Sequence, residues 1–120
     1  EDLAKLAVWM FRTLDGKKVK NAPFSRETLE TMIAVPKGYE DFYRTLAWGV
    51  WEDFLPEDFE TRLAPKSVYH TGYTGTFIVV DVEHRLAVIL LTNRVHPHDT
   101  GACNPLRRSV TEAVANALIE

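Results

Sequence analysis

The run Leu86-Ala87-Val88-Ile89-Leu90-Leu91 constrains the fold more than any other stretch of the chain. A strand with one wet face alternates apolar and polar residues, and this one does not. It therefore reads as a strand covered on both faces, expected at the centre of a sheet between layers of helix. Two further strand candidates precede it, over roughly 67–72 and 76–81, and Asp81 to Arg85 supplies the turn joining the last pair. Leu46 to Trp51 reads as another strand, with Gly49 as its weak point. Trp9, Trp48 and Trp51 read as core anchors rather than a binding platform.

Helical patterns bracket these strands. Leu3, Leu6, Ala7, Met10, Phe11 and Leu14 recur at helical spacing, which predicts an amphipathic helix over 2–14. Asp2 is its expected cap and Gly16 follows its end. A start at that cap fits an internal boundary of a longer polypeptide better than a natural N-terminus. A short helix is expected after Ser25, with Leu29, Met32 and Ile33 inward and Pro36-Lys37-Gly38 as its stop. The last helix is expected from the cap Asn104 and Pro105, with Leu106, Val110, Ala113, Val114, Ala117 and Leu118 as its apolar stripe. The acidic segment 52–65, punctuated by Pro56 and Pro65, reads as a loop.

Composition excludes several classes. The 120 residues suit one domain, and an apolar fraction of 46% argues against disorder. A net charge of −3 gives no reason to propose nucleic acid or an anionic membrane as a partner. Lys17, Lys18 and Lys20 read as a solvated loop. The single Cys103 rules out an internal disulfide framework. No apolar run approaches the roughly 18 residues of a membrane-spanning helix. No leader is visible, which says nothing about export of a longer parent.

The segment His70-Thr71-Gly72-Tyr73-Thr74-Gly75 carries the chemistry. It enters the hairpin directly, and the hairpin closes on Leu91-Thr92-Asn93-Arg94 ahead of the last helix. Read alone, it is also a strand ending in a glycine turn. With the hairpin, its ending and the helix, it resembles the third active-site element of serine β-lactamases and penicillin-binding proteins. His70 stands where the usual lysine would be, as in the class-C-like branch of esterases and D-alanyl-D-alanine carboxypeptidases. The resemblance covers essentially the whole of residues 1–120, as one segment from the C-terminal part of a longer protein. It implies an α+β fold, an antiparallel sheet of about three to four strands flanked by N- and C-terminal helices, within a β-lactamase/transpeptidase-like sandwich.

The resemblance also implies roles. Acyl transfer needs rigid N–H donors for a developing oxyanion, and hydroxyl and cationic donors for a substrate carboxylate or amide. By resemblance, the Tyr73 backbone N–H is half of the oxyanion hole, and Thr71 offers its hydroxyl to the ligand. His70 borders the serine's hydrogen-bond network. Gly72 lets substrate lie against the backbone. The Tyr73 ring either rims the pocket or packs on the surface. Asn93 is either a carboxylate contact or a strand-end turn residue. Gly75 reads as a structural bend. His84 reads as a solvated turn residue. No cofactor is implied, and the metal reading of His96, His98, Asp99 and Cys103 fails because their spacing matches no structural zinc pattern.

The family's nucleophile motif, Ser-x-x-Lys, does not occur at Ser25, Ser67 or Ser109, and no Tyr-x-Asn or Ser-x-Asn is present. Three readings follow: a segment supplying one wall of a serine hydrolase site, a non-catalytic binding module of that fold, or an unrelated α+β domain. For the first, the expected ligand is an ester, amide or peptidoglycan-like peptide. One sheet face is expected to stay bare, with the 2–14 helix and the last helix both on the other, so self-association or association with an N-terminal part is expected. The chain alone should show no acyl transfer. Stopped-flow assays with nitrocefin and p-nitrophenyl acetate check this, and covalent acylation of Ser25, Ser67 or Ser109 by mass spectrometry would refute it.

Overall fold

Four strands pair in chain order into one antiparallel sheet, β1 (Gly49–Val50), β2 (Val68–Thr71), β3 (Phe77–Asp81) and β4 (Leu86–Leu90). Helices α1 (Asp2–Leu14) and α2 (Arg26–Ile33) precede the sheet, and α3 (Asn104–Leu118) follows it. The computed structural model describes residues 1–99, 101 and 103–120. This is the expected α+β architecture with an antiparallel sheet and flanking helices.

Alternation along β3 sorts its side chains into two cores. Ile78 and Val80 face Met10, Leu29, Trp48 and Val68, under α1 and α2. Phe77 and Val79 face Trp51, Leu63, Val88 and Ala115, under α3. Every residue of β3 is buried. Each such apolar side chain contributes about 1.5–3 kcal/mol of burial, so this strand anchors both layers.

Two expectations are thereby corrected. The uniformly apolar β4 lies at the sheet edge rather than its centre, since it pairs only with β3 among the described residues. Its composition reports coverage of both faces, by α1 on one and α3 on the other. It carries no information on hydrogen bonding at its side. The second correction concerns the bare face: α1 and α3 lie on opposite faces, so each face has its own cover.

The expected strand over 46–51 contracts to the two residues of β1. Thr45 forms a turn, accepting the Trp48 N–H on its hydroxyl at 2.9 Å and donating its own N–H to the Trp48 carbonyl at 2.9 Å. Residues Trp51–Phe54 then wind into a 3₁₀ turn. At Gly49 a Cβ would lie 2.5 Å from the Tyr69 ring, so glycine is needed for close approach to β2. Trp48 and Trp51 are anchors as expected, one in each core.

Helix ends follow local chemistry with some shifts. Ser25 caps α2 by accepting the Thr28 N–H at 3.1 Å. The helix stops at Ile33, ahead of Pro36. Gly16, at φ 71°, closes α1 as expected. Asp2 is not the α1 cap but lies inside its first turn. Cys103, not Asn104, precedes α3. The α3 stripe is met in part: Val110 and Val114 pack on the core as expected, but Leu106, Ala113, Ala117 and Leu118 are exposed, and Arg107, Thr111, Glu112 and Ala115 are buried instead. Glu112 can go inside because Thr61 donates its hydroxyl to it at 2.5 Å.

His84 is not simply solvated, because Asp81 holds it. The buried Asp81 carboxylate accepts the N–H groups of Ala64, Glu83 and His84 and bonds His84 Nδ1 at 2.7 Å. Burial pushes Asp81 up, but the bonds from His84 and Ala64 outweigh it and hold the carboxyl below its ordinary value. The bond to Asp81 holds the His84 imidazole above its ordinary 6.5. His84 thus stabilises fully below 6.5, and that contribution is lost as pH rises through the raised folded value. Asp81 stabilises above the ordinary carboxylate value, and its contribution is lost as pH falls through the lowered one. Thermal melts from about pH 6 to about pH 8.5 should show wild-type Tm falling toward that of His84→Asn. Parallel curves would show that the pair contributes nothing.

Candidate active-site cleft

The end of β2 opens into a cleft of about 610 Å³, bounded by the 72–75 turn, the segment around Arg94 and the start of α3. Four of the expected site residues, His70, Thr71, Gly72 and Tyr73, border it together. Strand pairing sets them there: His70 lies opposite Ile78 and Thr71 opposite Phe77. His70 is exposed and meets Trp48 edge-on, with ring centroids 6.4 Å apart. It also borders a second, apolar cavity of about 330 Å³ between the sheet and α1–α2.

The turn is tightly closed. Gly72 donates to the Thr76 carbonyl at 2.7 Å, and Gly75 donates to the Gly72 carbonyl at 3.1 Å. Gly72 is demanded by Thr76, whose Oγ1 would lie 2.0 Å from an added Cβ. The glycine serves the hairpin before any substrate. Gly75 is a structural bend as expected, at φ 122° and packed against Thr92. Among the described residues, none accepts the Tyr73 N–H.

The Tyr73 ring rims the cleft and is 77% exposed. The Arg94 guanidinium lies 4.7 Å from its centroid, donates Nε to the Tyr73 carbonyl at 2.7 Å, and pairs with Asp99. Asn93 does not border the cleft: its Oδ1 accepts the Val95 N–H at 3.0 Å, as a turn residue does. The cleft-facing residue is its neighbour, Arg94. Tyr69 also borders the cleft, with burial, then Asp53, pushing its phenol up.

Sequence reasoning missed Arg44, Arg94 and Arg107, which border the cleft, while no aspartate or glutamate among the described residues does. Arg94 is compensated by Asp99, so the excess positive charge of the lining, in a chain of net charge −3, lies with Arg44 and Arg107. Arg107 had a readable signal. A helix N-terminus disfavours cations, and α3 carries arginine in its first turn with no acid there, which calls for another partner. Arg44 had no such signal. His96 and His98 are exposed, whereas Cys103 is buried beside Thr92 and the Gly75 carbonyl. Among the described residues, no three potential metal ligands gather.

A glycine-turned strand thus borders an arginine-lined cleft in a helix-covered antiparallel sheet. The chain belongs to the β-lactamase family, whose profile matches residues 1–112. It is 34% identical over 93 residues to a protein of Escherichia coli O157:H7 named "Putative D-alanyl-D-alanine carboxypeptidase". It is 30% identical over 93 residues to one of the same name in Escherichia coli K12. Each alignment covers 76% of this chain and 21% of the relative, so the chain spans about a fifth of the relatives' length. No solved structure matches the chain.

Gly72→Ala should destabilise the chain by about 1–3 kcal/mol through overpacking. Adding Thr76→Ala, which removes the clashing oxygen, should restore more than half of the loss. Chemical denaturation of the single and double variants checks this. Additive losses would show that Gly72 is needed for another reason.

Proposed function

We propose that this chain supplies the His-Thr-Gly wall of a serine hydrolase site. The full protein would cleave an ester, an amide or a D-Ala-D-Ala peptide through an acyl-serine. The observation that carries the reading is the arginine-lined cleft bordered at once by His70, Thr71, Gly72 and Tyr73. In this reading Thr71, Arg44 and Arg94 hold the substrate's carboxylate. The Tyr73 N–H receives the oxyanion, and His70 bonds the reacting group's neighbours. No cofactor takes part. The nucleophile and its base belong to polypeptide outside these residues, and the β4 edge, unpaired among the described residues, is where association with it, or with a second copy, would occur. The missing Ser-x-x-Lys favours a second reading, a binding module that holds such a ligand without chemistry.

An N-acyl-D-alanyl-D-alanine titrated into the chain, followed by heteronuclear NMR, tests the site. Shifts should gather on residues 70–73 and Arg94, and weaken several-fold for the peptide's C-terminal amide or in His70→Ala. Shifts elsewhere, or equal binding of the amide, would overturn the assignment. In a longer parent that carries Ser-x-x-Lys, His70→Ala should lower kcat/KM on the order of 10²-fold with Tm little changed. An unchanged value would support the binding module.

A further inference from the structure

The buried Arg107 guanidinium stands apart from the other cations of the cleft. Only 6% of the residue is exposed, yet no carboxylate among the described residues pairs with it. Nη2 donates to the Gly72 and Thr76 carbonyls, each at 3.0 Å, and Nη1 donates to Asn104 Oδ1 at 2.8 Å. The plane lies over the Phe77 ring, 5.7 Å from its centroid. Nε has no partner among the described residues. Burying a cation without a counter-charge is costly unless strong acceptors receive it. Here the acceptors are the two carbonyls that flank the motif turn.

The Gly72 carbonyl and the Tyr73 N–H belong to one peptide unit. The carbonyl already accepts the Gly75 N–H at 3.1 Å, so the guanidinium fills its second lone pair. Two donors on one carbonyl, one of them charged, fix the peptide plane. They also draw electron density toward the oxygen, which makes the N–H at the other end a stronger donor. We propose that Arg107 is a positioning residue that clamps the Gly72–Tyr73 peptide from α3 and strengthens the Tyr73 N–H as an anion donor. It acts through the peptide, not by touching the ligand. The proposal rests on the reading of that N–H as an oxyanion donor.

The test uses the whole chain, labelled with ¹⁵N and ¹³C, and acetate as the probe. In the wild type, a through-bond coupling from an Arg107 Nη to the Gly72 carbonyl carbon is expected. Acetate should move the Tyr73 amide proton downfield. Arg107→Gln should move the Gly72 carbonyl carbon upfield and reduce the acetate response at Tyr73 several-fold. Arg107→Lys, which keeps the charge but not the fork, should fall between. Arg108→Gln is the control: Arg108 bonds the Phe54 carbonyl at 3.3 Å, away from the turn, and its loss should leave the response unchanged. A missing coupling in the wild type overturns the clamp even if both Arg107 variants unfold. Folded variants with unchanged Gly72 and Tyr73 signals also overturn it. A coupling present with no acetate response at Tyr73 in the wild type overturns the oxyanion reading instead.

Discussion

The burial of β3 on both faces is the constraint on which the other elements depend. Its odd residues pack under α3 and its even residues under α1 and α2. A slip of one residue would exchange the two sets and strand Phe77 in a space shaped for Ile78. The register with β2 is therefore set by packing rather than by backbone bonding alone. That register places His70 beside Ile78 and Thr71 beside Phe77, and so sets the height of the motif on the sheet. The position of the cleft is a consequence of a core that lies away from it.

Buried polar groups decide the remaining geometry. The inward face of α3 is not its most apolar face, because Arg107 and Glu112 both turn inward. Each is received by a segment distant in sequence. Arg107 bonds the 72–76 turn, while Glu112 accepts from Thr61 and from the Arg62 N–H. The helix is pinned by two polar anchors, and the apolar residues Leu106 and Leu118 are left outside. Polar bonding outweighs apolar matching here because an unpaired buried charge costs more than an exposed leucine forfeits. The same anchoring joins α3 to the motif turn, so the helix that covers the sheet also braces the cleft.

The family assignment agrees with both levels of observation. The motif residues His70 to Tyr73 border one cleft, and the profile match runs through them. The chain spans about a fifth of the curated relatives' length and contains no Ser-x-x-Lys. Three arginines line the cleft of a chain whose net charge is −3. Arg94 ties the Tyr73 ring and carbonyl to the same rim, so the motif turn is held from the β4 side as well as from α3.

Local patterns determined a good deal by themselves. Helical spacing located α1 and α2, Ser25 and Gly16 marked helix ends, and apolar runs with turn residues located β2, β3 and β4. The motif residues were legible through their resemblance to the family's third active-site element, since alone they read as a strand ending in a glycine turn. Three features were decided only by the tertiary structure. They are the edge position of β4, the placement of α1 and α3 on opposite faces, and the meeting of Arg44, Arg94 and Arg107 at one cleft. Side-chain patterns record how much of a strand or helix is covered. They do not record which partner covers it, nor what lies along the hydrogen-bonding edge. Those choices are made by contacts between residues far apart in the chain, where packing and the pairing of buried charge are settled together.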